Sequence, residues 1–166
     1  MVVEDTQGEE SDGTGGRGMT VQLGATVDVT RALFSRNRDF GVIVMTPGTS
    51  AQLSDVVVSQ TAEQACAATT CAHAPYGVAL AGVSEATLVA TRFEAQDSTL
   101  CGVLVAENGQ VDLSQGQVSG SLIGACLQVE GYDTGRLTES VHYLDNGTSL
   151  DATRLPVPVP ESPVGG

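Results

Sequence analysis

Gly41-Val42-Ile43-Val44 and Gly102-Val103-Leu104-Val105 are the stretches whose reading decides the fold, because the same pattern returns along the chain. Gly18-Met19-Thr20-Val21, Gly77-Val78-Ala79-Leu80 and Gly124-Ala125-Cys126-Leu127 begin alike, and the starting glycines stand 23, 36, 25 and 22 residues apart. Eleven to thirteen residues after each glycine comes another apolar residue, giving Val29, Leu53, Leu88, Leu113 and Leu137. Farther on come Phe34, Val58, Phe93, Val118 and Val141, while Phe40, Tyr76, Cys101 and Ile123 precede four of the glycines. Fixed periods of this length are the signature of a stacked repeat.

Each unit reads as about three short alternating strands broken by turn residues, too little to bury an apolar face alone. Stacking places like residues one above another at about 4.8 Å and builds a continuous core. The repeat glycines, Gly18, Gly41, Gly77, Gly102 and Gly124, then mark bends where a side chain would obstruct the chain. The 36-residue spacing is one coil carrying an insertion within residues 60–76, expected as a loop on one face. An antiparallel sandwich fits strands at this spacing as well, yet it has no need for the same columns to return.

Across Gly18 to Leu150, these aligned units resemble the right-handed parallel β-helix family, the pectate-lyase-like superfamily. The resemblance implies an all-β, right-handed parallel β-helix solenoid of about five to six coils of 22–25 residues. No six-residue period points to the left-handed form. The expected organisation is a partial first coil with an acidic Gly-rich loop over 1–17, the repeat over 18–154, and a Pro-rich extended tail or linker over 155–166. The opening Val2-Val3-Glu4-Asp5-Thr6 resembles Val57-Val58-Ser59-Gln60-Thr61, as though the chain starts partway through a coil of a longer protein.

Composition narrows the partners. The chain has 166 residues, a net charge of −13 and no lysine. An acidic surface without a basic cluster is poorly matched to a nucleic-acid backbone or an anionic membrane. No apolar run approaches the roughly 20 residues of a membrane-spanning helix.

Cys66 and Cys71 share the insertion and are expected to form a small disulfide loop, which implies an oxidising, extracellular or cell-surface setting. A zinc half-site with His73 and a pair of free thiols remain as alternatives. Cys101 is expected to point inward and Cys126 outward, three strand positions apart and out of mutual reach. His73 and His142 share no motif. Glu107, Glu130 and Asp133 fall on turns of neighbouring coils as weak calcium candidates, with solvated turn carboxylates the blander account. Asn146-Gly147-Thr148 is a formal glycosylation sequon.

Enzymes of the resembled family act on acidic polysaccharides through clustered carboxylates, often with calcium, and an Arg or Lys base. No Asp-Asp pair, Gly-His-Gly or Arg-x-Lys stands here. Asp112 and Arg136 are expected to pair on the outer face, an exposed contact worth roughly 0–1 kcal/mol. The expectation is a non-catalytic β-helix module of a secreted or cell-surface protein, acting as a spacer or a binding face for a polysaccharide or other surface component. It carries no assigned catalytic, cofactor or metal residue. A polysaccharide lyase, a glycoside hydrolase or a fragment of one is the alternative. The chain is expected to be mostly monomeric, with any end-to-end association growing as salt screens its charge.

Overall fold

The computed structural model describes residues 1–66 and 76–153. Thirteen strands among them form two sheets. The first contains β1 (Val2–Glu4), β3 (Thr26–Ser35), β5 (Ser50–Ser59), β7 (Thr87–Gln96), β9 (Gln110–Ser114), β10 (Gly116–Ser119) and β12 (Val141–Leu144). The second contains β2 (Met19–Val21), β4 (Phe40–Val44), β6 (Val78–Gly82), β8 (Cys101–Val105), β11 (Ile123–Leu127) and β13 (Thr148–Ala152). Every pairing between these strands is parallel, and both sheets follow chain order. The fold is all-β.

Alternation in the first sheet turns Phe34, Leu53, Val58, Leu88 and Val118 inward, where they meet Val42, Val44, Leu80, Val103 and Val105 of the second sheet. One continuous apolar cluster fills the space between the sheets. Val2 and Val3 stack in register on Leu33 and Phe34, which stack in turn on Val57 and Val58.

The third unit is displaced by two residues from its expected alignment. Phe40 pairs with Val78, and Val78 with Cys101, so the column before the glycines holds Val78 and not Tyr76. Ala79, not Gly77, occupies the glycine rung between Gly41 and Gly102. Leu53 likewise stacks on Ala90, while Leu88 stands over Ala51, and Ala95 replaces Phe93 in the last column. In the first sheet side chains alternate with period two, so the two-residue shift leaves Leu88 and Phe93 inward; in the second, where two successive residues face the core, it moves Val78 to the outer face and Ala79 into the core. Leu88 and Phe93 are buried all the same.

Two further departures come late in the chain. Leu137 is buried, but it lies on a short helix, α1 (Gly135–Thr138), instead of a strand. In the last column Tyr143, not Val141, stacks on Val118.

The bends between strands are also stacked. Asp5, Arg36, Gln60, Asp97, Gly120 and Asp145 occupy successive rungs, all with positive φ between 53° and 68°. The rung that follows is polar and largely enclosed: Thr6, Asn37, Thr61, Ser98, Ser121 and Asn146. Asn37 accepts from the Thr6 N–H and donates to the Val3 carbonyl. Asn146 repeats this geometry with the Ser121 N–H and the Val118 carbonyl. The sequon asparagine is therefore a structural bracket. Its side-chain nitrogen, the atom a glycan would need, is already donated to the preceding rung.

Candidate functional site

The outer face of the first sheet is creased where β3, β5 and β7 bend in mid-strand. Arg31, Asp55, Arg92, Gln115 and Ser140 sit at successive rungs of this crease with φ between 51° and 62°. Left-handed backbone at one residue turns the strand without breaking the pairing on either side. Two adjoining cavities lie along it, of about 610 and 380 Å³, and both are bordered by Gln115 and Ser140.

Arginine–carboxylate pairs frame the groove. Arg92 donates to both oxygens of Asp55, at 2.6 and 2.9 Å, and this holds the Asp55 carboxyl below the usual carboxylate range. Arg136 forks onto Asp112 at 2.7 and 2.6 Å, and the Asp112 pKa falls for the same reason. The expected Asp112–Arg136 contact is present, with Arg136 also bonded to Gln110 and lying 5.9 Å from the Tyr132 ring centroid. Arginine reaches Asp112 from α1, so a helix supplies what stacked strands were expected to supply. Bidentate geometry fixes both partners.

Beside the crease runs a second outward column, Val57, Glu94, Gln117 and His142, in parallel register. All four line the larger cavity. Glu94 accepts from the Gln96 amide at 2.6 Å, and the Gln117 amide donates to the Ser119 hydroxyl. A carboxylate, an amide and an imidazole thus stand one rung apart, about 4.8 Å each. Sequence reading missed this column because its members share no residue type; only the strand register aligns them.

The calcium candidates do not converge. Glu107 accepts from the Ser84 hydroxyl at 2.6 Å, Asp133 accepts from the Gly135 N–H at 3.0 Å, and Glu130 is exposed on its own turn. Among the described residues, no three His, Cys, Asp or Glu side chains gather around one point.

The cysteines correct the sequence expectation. Cys101 and Cys126 form a disulfide, with Cα atoms 6.1 Å apart. In β8, Gly102 and Val103 both face the core in succession, so Cys101 and Leu104 share the outer side; in β11, Ile123 and Cys126 do the same around Gly124 and Ala125. Strict alternation would have put the two thiols on opposite faces, three strand positions or about 10 Å apart; the matching departure from alternation in both strands puts both on the outer face, where the bridge forms. Cys66 carries no free thiol, while Cys71 and His73 lie outside the described residues.

A buried ion pair was also missed. Asp39 is fully enclosed at positive φ, takes the Arg17 guanidinium at 2.7 Å and accepts from Gln64 at 2.8 Å. Arg17 lies 5.6 Å from the Phe40 ring centroid. The arginine closing the acidic N-terminal loop therefore anchors that loop to the second sheet.

No family model matches the chain, and no match was found among curated proteins or solved structures.

Proposed function

We propose that the chain is a non-catalytic module of right-handed parallel β-helix type, belonging to a secreted or cell-surface protein, and that the crease is its binding face for a glycan. The observation that carries this reading is the outward column Glu94, Gln117 and His142 on the floor of the groove. A chain-like ligand lying along the stack meets one hydrogen-bonding group per rung, and the arginine–carboxylate pairs keep the walls in place. The Cys101–Cys126 disulfide supports an oxidising compartment.

Titration of the labelled chain with neutral and acidic oligosaccharides, followed by amide and imidazole NMR shifts, tests the binding face. Shifts confined to Glu94, Gln117, His142 and their neighbours are expected. A panel that moves nothing in the groove leaves only the spacer role and overturns the glycan-binding reading.

One feature favours a carbohydrate-active enzyme as the second reading. Glu94 and His142 flank Gln117 two rungs apart, roughly 9.6 Å, which places a carboxylate and an imidazole on one groove. Incubation with pectin, alginate and related glycans separates the two. Catalytic release of new chain ends, abolished by Glu94→Gln, would replace the non-catalytic reading.

A further inference from the structure

The groove along the crease is lined by more carboxylates than arginines. Arg92 stands with Asp55 and Glu94 in the larger cavity, and Arg136 with Asp112, Asp133 and Glu139 in the smaller. Both guanidiniums are already engaged, Arg92 by Asp55 and Arg136 by Asp112, so each cancels one carboxylate. Glu94, Asp133 and Glu139 form no ion pair with any described residue. Arg31, one rung beyond Asp55 on the crease, borders neither cavity.

The hydrogen-bonding capacity left over has the same polarity. The Gln117 amide nitrogen is donated to the Ser119 hydroxyl, and its carbonyl oxygen has no partner among the described residues. Glu94 accepts one bond, from Gln96, of the several a carboxylate can take. These two acceptors are register partners' neighbours in one outward column, one rung or about 4.8 Å apart. The floor of the groove therefore offers acceptors and negative charge where a ligand would lie.

Taking the crease as a glycan-binding face, on which this step rests, we infer that its ligand class is a cationic amino-glycan, a chain of sugars bearing free ammonium groups. An ammonium carries donors and no acceptor, which matches Glu94 and the Gln117 carbonyl oxygen in charge and in hydrogen-bond sense. A chain of uronic acids meets the opposite situation. Its carboxylates would face three uncompensated ones, and could recruit Arg92 or Arg136 only by displacing the aspartate that already holds it in a fork.

The test is a titration of the full chain with three oligosaccharides of equal length: glucosamine oligomers kept protonated, their neutral N-acetylated counterparts, and oligogalacturonate. Amide and imidazole NMR shifts are the readout. Glucosamine oligomers are expected to bind tightest, with shifts at Glu94, Gln117 and His142, and to weaken as salt is raised. Glu94→Gln should weaken them by about threefold, the worth of one exposed ion pair, and leave the weaker neutral binding unchanged. Arg92→Gln, which releases Asp55, should tighten them. Equal binding of neutral and cationic oligomers, or tighter binding of oligogalacturonate, at these residues would overturn the inference and leave the glycan-binding reading standing. Groove shifts from none of the three overturn both. Tetralysine that moves the same residues as strongly would assign the effect to the net charge of −13 instead of sugar recognition, and overturns the inference as well. Should either variant fail to fold, the ranking of the three oligosaccharides and its salt dependence decide.

Discussion

Tyr76, Tyr132 and Tyr143 are placed by different contacts, yet burial pushes all three phenols up in pKa. Tyr76 packs on Phe40 with ring centroids 5.1 Å apart and is raised to about 12, by desolvation first and the nearby Asp39 charge second. Tyr132 donates to the Val111 carbonyl at 2.7 Å and accepts from its N–H at 2.9 Å; Tyr143 donates to the Leu137 carbonyl at 3.1 Å. Both are raised chiefly by desolvation. A phenol whose folded pKa exceeds its unfolded value near 10 favours folding below that value, and the advantage fades as pH climbs toward the folded pKa. Absorbance at 295 nm should therefore show the three phenols ionising at higher pH than free tyrosine, with the bulk of the change coinciding with loss of far-UV circular dichroism. Three phenols ionising near pH 10 with the dichroism intact would contradict their enclosure. At this scale the sequence shows which residues can carry a function, but not which are already engaged. Asn146 reads as a sequon, and its amide turns out to be committed to Val118.

Size complementarity between elements explains why the third unit broke the repeat pattern. A Cβ on Gly41 would collide with Val58, and one on Gly102 with Val118; on Gly124 it would stand 2.6 Å from the Tyr143 ring. At the corresponding rung the third unit has Ala79, and the residue stacked between Val58 and Val118 is Ala95. Glycine faces a large side chain where alanine faces alanine. Gly102→Ala is thus expected to cost about 1–3 kcal/mol through overpacking, and Val118→Ala roughly 2 kcal/mol through the cavity it leaves. Combined, they should cost about 1 kcal/mol less than their sum, because the smaller residue vacates the space the new methyl needs. Full relief is not expected, since the Gly124 carbonyl also stands 2.8 Å from that Cβ. Urea unfolding of the four proteins measures the coupling; strict additivity would show that Val118 is not what excludes a side chain at position 102. Glycine spacing alone pointed to Gly77, because a search for glycine cannot recognise a rung where the facing residue has shrunk.

Over the whole molecule, long-range parallel pairing leaves stability dependent on neighbouring units, and the Cys101–Cys126 disulfide ties two of them across β8 and β11. The bridge closes a 25-residue separation. Constraint of the unfolded chain by a loop of that size contributes about 3 kcal/mol. Cys101→Ala with Cys126→Ala should lower the melting temperature by roughly 5–15 °C, given about 2–4 °C per kcal/mol for a chain of this length. Calorimetry under non-reducing conditions checks it. A shift below 2 °C would show that packing on the outer face, and not the bridge, holds these two units together.

The sequence by itself determined the all-β class, the parallel stacking of like residues and the inward or outward side of most strand positions. These follow from a strand pattern repeated at near-constant intervals, which in the period-two first sheet survives a two-residue misalignment because the side-chain face does not change. Tertiary structure decided the register of the third unit, the pairing of Cys101 with Cys126, the helical placement of Leu137 and Arg136, and the column that joins Glu94, Gln117 and His142. Each depends on where one unit lies against the next, and a break in alternation or a compensating change in side-chain size moves that relation without altering the overall pattern. A second buried face on the sheet from β2 to β13 belongs with them: continuous apolar runs such as Val42-Ile43-Val44-Met45 are compatible with burial on both sides, but only the folded chain shows that both sides are enclosed.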